Sequence, residues 1–317
     1  MRYDVRIVVG VNGSDGSNVA IRYAAREAVR RNAALHLVHA VPECIEDNPA
    51  AYVLGSTPVA AAGRRILADA YDLARSLVAE SRVSTELLPG PRADALVAVS
   101  GDADLLVLGD EHATYLAKRP DDWTIDGVVI RAHCAVGVVP TAWRTVREKG
   151  LVIAGVRQAR RSLALIEAGL EEARRRRASL VLLHASYRPE LDADALARGV
   201  DKELWLEEDR RILAEAAEPL LEDYPEVPIQ IRAVVGRPAA VLRRAASAAG
   251  LLLVDRTLAE PAEPGQPLSA HFGHTGRQIL RRPPCPVEVV PEPSPWLIPS
   301  PRRDSAQVTE ARPVVSR

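Results

Sequence analysis

Ile7-Val8-Val9-Gly10-Val11 and Val152-Ile153-Ala154-Gly155-Val156 are two versions of one short apolar segment, set 145 residues apart (Gly10 to Gly155). A self-comparison started there keeps finding partners. Leu35-His36-Leu37-Val38-His39-Ala40 returns as Leu180-Val181-Leu182-Leu183-His184-Ala185 at the same offset of 145. Gly90-Pro91-Arg92-Ala93 returns as Gly236-Arg237-Pro238-Ala239, and Leu105–Leu108 as Leu251–Val254, both at 146. Cys134 and Pro140 return as Cys285 and Pro291 at 151. An offset that is constant within blocks and grows only between them describes one duplicated unit with small loop insertions.

Each copy alternates short apolar runs with helical patterns, which is the signature of a parallel sheet wrapped by helices. In the first copy strands are expected at about 5–11, 35–41, 83–88, 104–109 and 135–140. Ile66, Leu67, Ala70, Leu73, Ala74, Leu77 and Val78 recur at helical spacing, and Ala93, Leu96 and Val97 do so on a shorter helix. In the second copy Leu213, Ala216, Ala217 and Leu220 share a helix face, while Ile229, Ile231, Ala233 and Val235 alternate as a strand does. The fold class is therefore α/β, in two tandem domains at 1–142 and 150–291. The stretch 292–317, rich in proline and without periodicity, is expected to be a disordered tail.

Composition bounds the rest. The hydrophobic fraction is 47% but the aromatic fraction only 4%, so the cores must be aliphatic. A net charge of -1, from 41 basic against 42 acidic residues, gives no global field for nucleic acid or an anionic membrane. Three scattered cysteines, Cys44, Cys134 and Cys285, imply neither a disulfide framework nor a paired metal site. The run Ile7–Val11 is too short for a signal-peptide core, and no window is long enough to span a bilayer, so a cytoplasmic location is expected.

With these residues in view, the chain resembles the universal stress protein family. The resemblance rests on Val9–Ser14 with Ser17 and Ala20 behind it, Leu35–Val41, Gly90-Pro91, Ala103–Gly109 and Cys134–Pro140. It covers residues 4–140 and again 150–291. It implies Rossmann-like domains of the adenine nucleotide alpha hydrolase type, each a five-stranded parallel sheet of order 3-2-1-4-5. Ligands of such sheets lie where the order reverses, at the carboxyl ends of strands 1 and 4. Family members often dimerise through their last strands, which here implies internal pairing of Val136–Pro140 with Val287–Pro291 as a pseudo-dimer.

Members of the family that bind ATP carry Gly-x2-Gly-x9-Gly-Ser/Thr after the fourth strand, with an aspartate after the first strand reading adenine. Glycines admit phosphates to bare backbone N–H groups. In the first copy Gly109 fills the first glycine position, but His112, Asp122 and Trp123 take the next three, and Asn12 stands at the aspartate. Shifting the register to Asp126-Gly127 would restore one glycine. In the second copy Asp255, Leu258 and Arg157 replace the first glycine, the second glycine and the aspartate, while Gly273 and His274 match the end of the motif. Arg256 and His274 leave room there for weak anion binding. The residues retained for a vestigial nucleotide site are thus Asn12, Gly13, Ala40, Gly109 and Gly273.

Simpler structural readings stand beside these. Asn12–Gly16 reads as a strand-to-helix turn capped by Asp15 or Ser17. His39 and His184 read as hydrogen-bonded core histidines, and Cys134 and Cys285 as small buried hydrophobes. His271, His274 and Asp255 lack the further ligands that a metal would need. The run Arg174–Arg177 reads as a solvated face that complements a helix dipole. No nucleophile–base pair or carboxylate dyad stands out, so no enzyme is expected. The sequence therefore points to a stress-associated regulatory or scaffold protein with an unnamed protein partner and no committed cofactor. An ATP-binding sensor using Asn12, Gly13, Ala40 and Gly109 is the alternative.

Overall fold

The computed structural model describes residues 5–41, 58–110, 124–144, 150–187, 202–259, 269–271 and 273–291. The expected tail, Cys44 and the motif positions His112, Asp122 and Trp123 lie outside them. The first unit runs β1 (Arg6–Gly10), α1 (Asp15–Arg31), β2 (Ala34–Val41), α2 (Pro58–Arg75), β3 (Val83–Pro89), α3 (Arg92–Val99), β4 (Leu105–Gly109), α4 (Thr124–Arg131) and β5 (Ala135–Val139). The second runs β6 (Leu151–Gly155), α5 (Leu163–Arg176), β7 (Ser179–Ser186), α6 (Lys202–Leu221), β8 (Ile229–Val235), α7 (Pro238–Ala246), β9 (Leu251–Ala259), β10 (Ser269–His271), α8 (His274–Leu280) and β11 (Val287–Pro291).

Strand order is β3-β2-β1-β4-β5 followed by β11-β9-β6-β7-β8, so each unit has the 3-2-1-4-5 arrangement. Pairing within each unit is parallel, apart from the short β10, which runs antiparallel to β9. The two units meet at an antiparallel seam, with Val287 opposite Val138, Glu288 opposite Gly137 and Val289 opposite Val136. Among the described residues no helix is long and apolar enough to cross a membrane.

The two long helices beside the seam show why the sequence folds as it does. In α1, Ala20, Ala24 and Ala28 recur every fourth residue and bury one narrow face against the sheet. It begins at Ser14 in extended conformation and ends at Asn32, whose positive φ of 50° makes the left-handed cap. In α5, Arg177 closes the helix with the same φ of 50°. Alternation along the seam strands decides what each sheet face receives. Val136, Val138, Val287 and Val289 enter one apolar core that is continuous from unit to unit and contains Cys134 and Cys285. On the other face each unit has its own core, beneath α1 and α2 in the first and α5 and α6 in the second.

Candidate functional site

β1 and β4 are neighbours whose connections leave in opposite directions, β1 toward β2 and β4 toward β5. The crevice opened at their carboxyl ends is lined by Gly10, Asn12, Ser14, Ser17, Ala40 and Gly109, with Arg92 and His39 at its sides. Its volume is about 60 Å³, against the roughly 300–1,000 Å³ of small-molecule sites.

The turn that leads into α1 spends its polar groups on itself. The Asn12 Oδ1 accepts from the Ser14 amide at 3.0 Å, and Ser14 Oγ accepts from the Ser17 amide at 3.2 Å. Ser17 Oγ donates to the Ser14 carbonyl at 2.9 Å. The cap is therefore Ser14, not Asp15 or Ser17, because only its side chain sits one turn ahead of a free helical amide. Gly13 has φ 79°, the left-handed conformation that lets this turn close. Asp15 in the first turn already complements the positive end of the helix.

Gly109 is held by packing. A Cβ there would lie 2.2 Å from the Gly16 carbonyl oxygen and 2.9 Å from the Ser17 nitrogen. A Cβ at Gly16 would in turn lie 2.7 Å from the Asp110 carbonyl oxygen. The end of β4 thus runs directly against the start of α1. Asp110 is buried there, and its carboxylate accepts from Thr141 Oγ1 at 3.1 Å.

The paired histidines make the same hydrogen bond in each unit. His39 Nδ1 donates to the Val11 carbonyl at 2.6 Å, and His184 Nδ1 donates to the Val156 carbonyl at 3.0 Å. Each fastens the second strand of its unit to the residue that follows the first.

In the second unit the crevice holds a carboxylate of its own. Asp255 accepts from Ser162 Oγ at 3.0 Å, and Ser162 is the N-cap of α5. Burial pushes the Asp255 carboxyl above the usual aspartate range, partly offset by the Ser162 hydrogen bond and by Arg157. Past Asp255, β9 continues to Ala259 and pairs with β10, Leu258 opposite Ala270. Gly273 is the N-cap of α8, and a Cβ on it would meet nothing within 4 Å, so neither turn nor packing demands a glycine there. His274 is exposed, with Nε2 2.7 Å from Gln278 Nε2.

Arg256 Nη1 donates to the Ala132 carbonyl at 2.6 Å, capping the carboxyl end of α4 across the unit boundary. Another sequence reading needs correction. The run Arg174–Arg177 is not one solvated face. Arg174 is exposed and pairs with Glu171, but the Arg176 side chain is only 9% exposed and reaches Glu27 at 2.8 Å. Around it lies a cluster that sequence reasoning missed: Glu27, Arg31, Glu172, Arg176 and Glu288, under the polar face of the seam. Its signal was available, because Glu27, Arg30 and Arg31 return as Glu172, Arg175 and Arg176 at the offset of 145. The carboxylate oxygens of Glu27, Glu172 and Glu288 lie within 4.8 Å of one another. Each of these carboxylates has a guanidinium nitrogen within 3.5 Å.

The pattern of the universal stress protein family matches residues 5–140 and again 152–291. A universal stress protein of Mycobacterium tuberculosis is 28% identical over 313 residues, which cover 93% of this chain and 97% of that one. A universal stress protein of Archaeoglobus fulgidus shares the fold at a TM-score of 0.66 and 12% identity, covering 92% of this chain and 97% of its own. Another Archaeoglobus fulgidus member, solved in complex with dAMP, covers 42% of this chain and 94% of its own at 23% identity and a TM-score of 0.31.

Proposed function

This chain belongs to the universal stress protein family over both of its halves, and from that premise we propose that it is a non-catalytic regulator or scaffold in which ATP binding has been weakened or lost. The observation that carries the reading is Asp255, a carboxylate hydrogen-bonded to the N-cap serine of α5 where a phosphate would seek the helix end. A triphosphate there would meet like charge in place of bare amides. The first crevice supports the same reading, with a volume of about 60 Å³ and a turn whose Ser14 and Ser17 amides are already bonded within it. The non-catalytic part is supported by the engaged state of the local groups. His39 Nδ1 is tied to Val11, Ser17 donates to Ser14, and burial pushes both Cys134 and Cys285 thiols up to about 12.

A nucleotide sensor is the second reading, favoured by the position of the first crevice at the switch point with Asn12, Ala40 and Gly109 around it. Thermal unfolding with and without magnesium-ATP separates the two. A nucleotide bound at a micromolar constant and present in hundredfold excess stabilises by about 2.7 kcal/mol. An unchanged midpoint is expected. A rise of that size would replace the first reading with the second.

A further inference from the structure

The polar face of the seam is almost two-fold symmetric, and the place where it is not carries information. Arg31 of the first unit reaches Glu172 of the second at 3.1 Å, and Arg176 of the second reaches Glu27 of the first at 2.8 Å. These contacts are reciprocal, as in an isologous dimer. At the centre, however, Glu288 on β11 faces Gly137 on β5. Both occupy the same position of the repeat, 151 residues apart. The Glu288 side chain is 4% exposed and accepts from Arg31 Nη2 at 3.2 Å and from Tyr23 Oη at 3.1 Å, with Arg176 Nη2 at 3.9 Å. One carboxylate on the pseudo-axis therefore serves both halves.

We propose that Glu288, set against Gly137, commits this seam to joining a first unit with a second unit. Two second units meeting through β11 would bring Glu288 against Glu288. Neighbouring residues of an antiparallel pair stand about 4.5–5.5 Å apart on one sheet face, so two buried carboxylates would share one site. Two first units meeting through β5 would place Gly137 against Gly137 and leave no central carboxylate for the Arg31 guanidiniums. Only the mixed pairing supplies one. Space is not the selector, because a Cβ on Gly137 would stand an ordinary 3.7 Å from Glu288 Cγ.

All three pairings can be imitated within the full chain. G137E gives the double-carboxylate seam, E288G the empty one, and G137E/E288G moves the single carboxylate to the opposite strand, where the pseudo-symmetry presents Arg176. Each single variant should lower the thermal midpoint by about 10 °C, the scale of leaving one side of a buried ion pair unmatched. The double variant should recover most of that loss, short of the Tyr23 hydrogen bond. G137Q, equal in length to glutamate but uncharged, should fall well short of the G137E loss. Single losses that simply add in the double variant would overturn the proposal, as would G137Q and G137E behaving alike. Should G137E yield no soluble protein, soluble G137Q supports the charge argument, and failure of both assigns the cost to crowding and overturns it.

Discussion

Gly109→Ala separates a glycine kept for phosphate from a glycine kept for packing. The added methyl would sit 2.2 Å from the Gly16 carbonyl oxygen and 2.3 Å from its carbonyl carbon. Both are backbone atoms, so no rotamer change relieves them, and β4 must part from the start of α1 by about 1 Å in a close-packed interior. That first turn is anchored, with Gly16, Ser17, Ala20 and Ile21 all buried. Overpacking costs about 1–3 kcal/mol, and a clash with backbone on both sides places this substitution near 3 kcal/mol. The corresponding shift is roughly 6–12 °C in the first unit. Gly155→Ala meets only the movable Leu242 side chain, at 2.9 Å, and should cost about 1 kcal/mol. Gly101→Ala meets nothing within 4 Å and should change stability by no more than about 0.5 kcal/mol. Urea unfolding of the three full-length variants, followed by circular dichroism, tests the ranking. If Gly109→Ala proves as harmless as Gly101→Ala, the packing account of Gly109 is wrong.

Other outcomes follow from the same geometry. Arg176→Met should destabilise by about 3–5 kcal/mol, because Glu27 and Glu172 lose a buried partner, whereas Arg174→Ala removes a solvent-exposed pair and should cost far less; equal losses in denaturant titration would refute the distinction drawn within that run. Burial alone would raise the Glu27 carboxyl, but the guanidiniums of Arg176, Arg31 and Arg30 outweigh it and hold it below the usual glutamate range. A lowered folded-state value means that its stabilisation is complete above the ordinary value near 4.5 and fades as pH falls through the folded one. Glu27→Gln should therefore flatten the acid limb of a stability-against-pH curve, and an unaltered limb would count against the cluster. Cys134 and Cys285, pushed up to about 12 by burial, carry about 10⁻⁴ thiolate at pH 8. Mass spectrometry should find both unmodified by iodoacetamide in the native protein and modified in urea, and rapid native labelling of either would contradict their burial.

The duplicated strands were legible because a strand buried on both faces must be an unbroken apolar run, and Leu105–Leu108 and Leu251–Val254 are such runs. His39 and His184 were legible as structural residues through their shared place in the repeat. The helix cap was misassigned because Ser14, Asp15 and Ser17 are all good capping residues, and only backbone conformation selects one. The contact of Arg256 with the Ala132 carbonyl was not legible because that acceptor is a main-chain atom in the other unit and leaves no side-chain signature.

The seam cluster shows where sequence reading stops and why. Helical periodicity assigns charged residues to the solvent face by default, since burying an isolated charge is prohibitive. Here α1 and α5 approach each other, so what faces water in one unit faces the other unit in the whole chain. Glu27, with a side chain 0% exposed, and Arg176, at 9%, are tolerated because the cluster balances them, Glu27 against Arg30, Arg31 and Arg176, and Arg176 against Glu27 and Glu172. The same mutual dependence makes the cluster informative about pairing. An apolar seam of valines, as on the opposite face, would accept a copy of either unit with little discrimination. A buried charge accepts only the partner that balances it, and with Glu288 on one strand and Gly137 on the other, that partner is the unlike half.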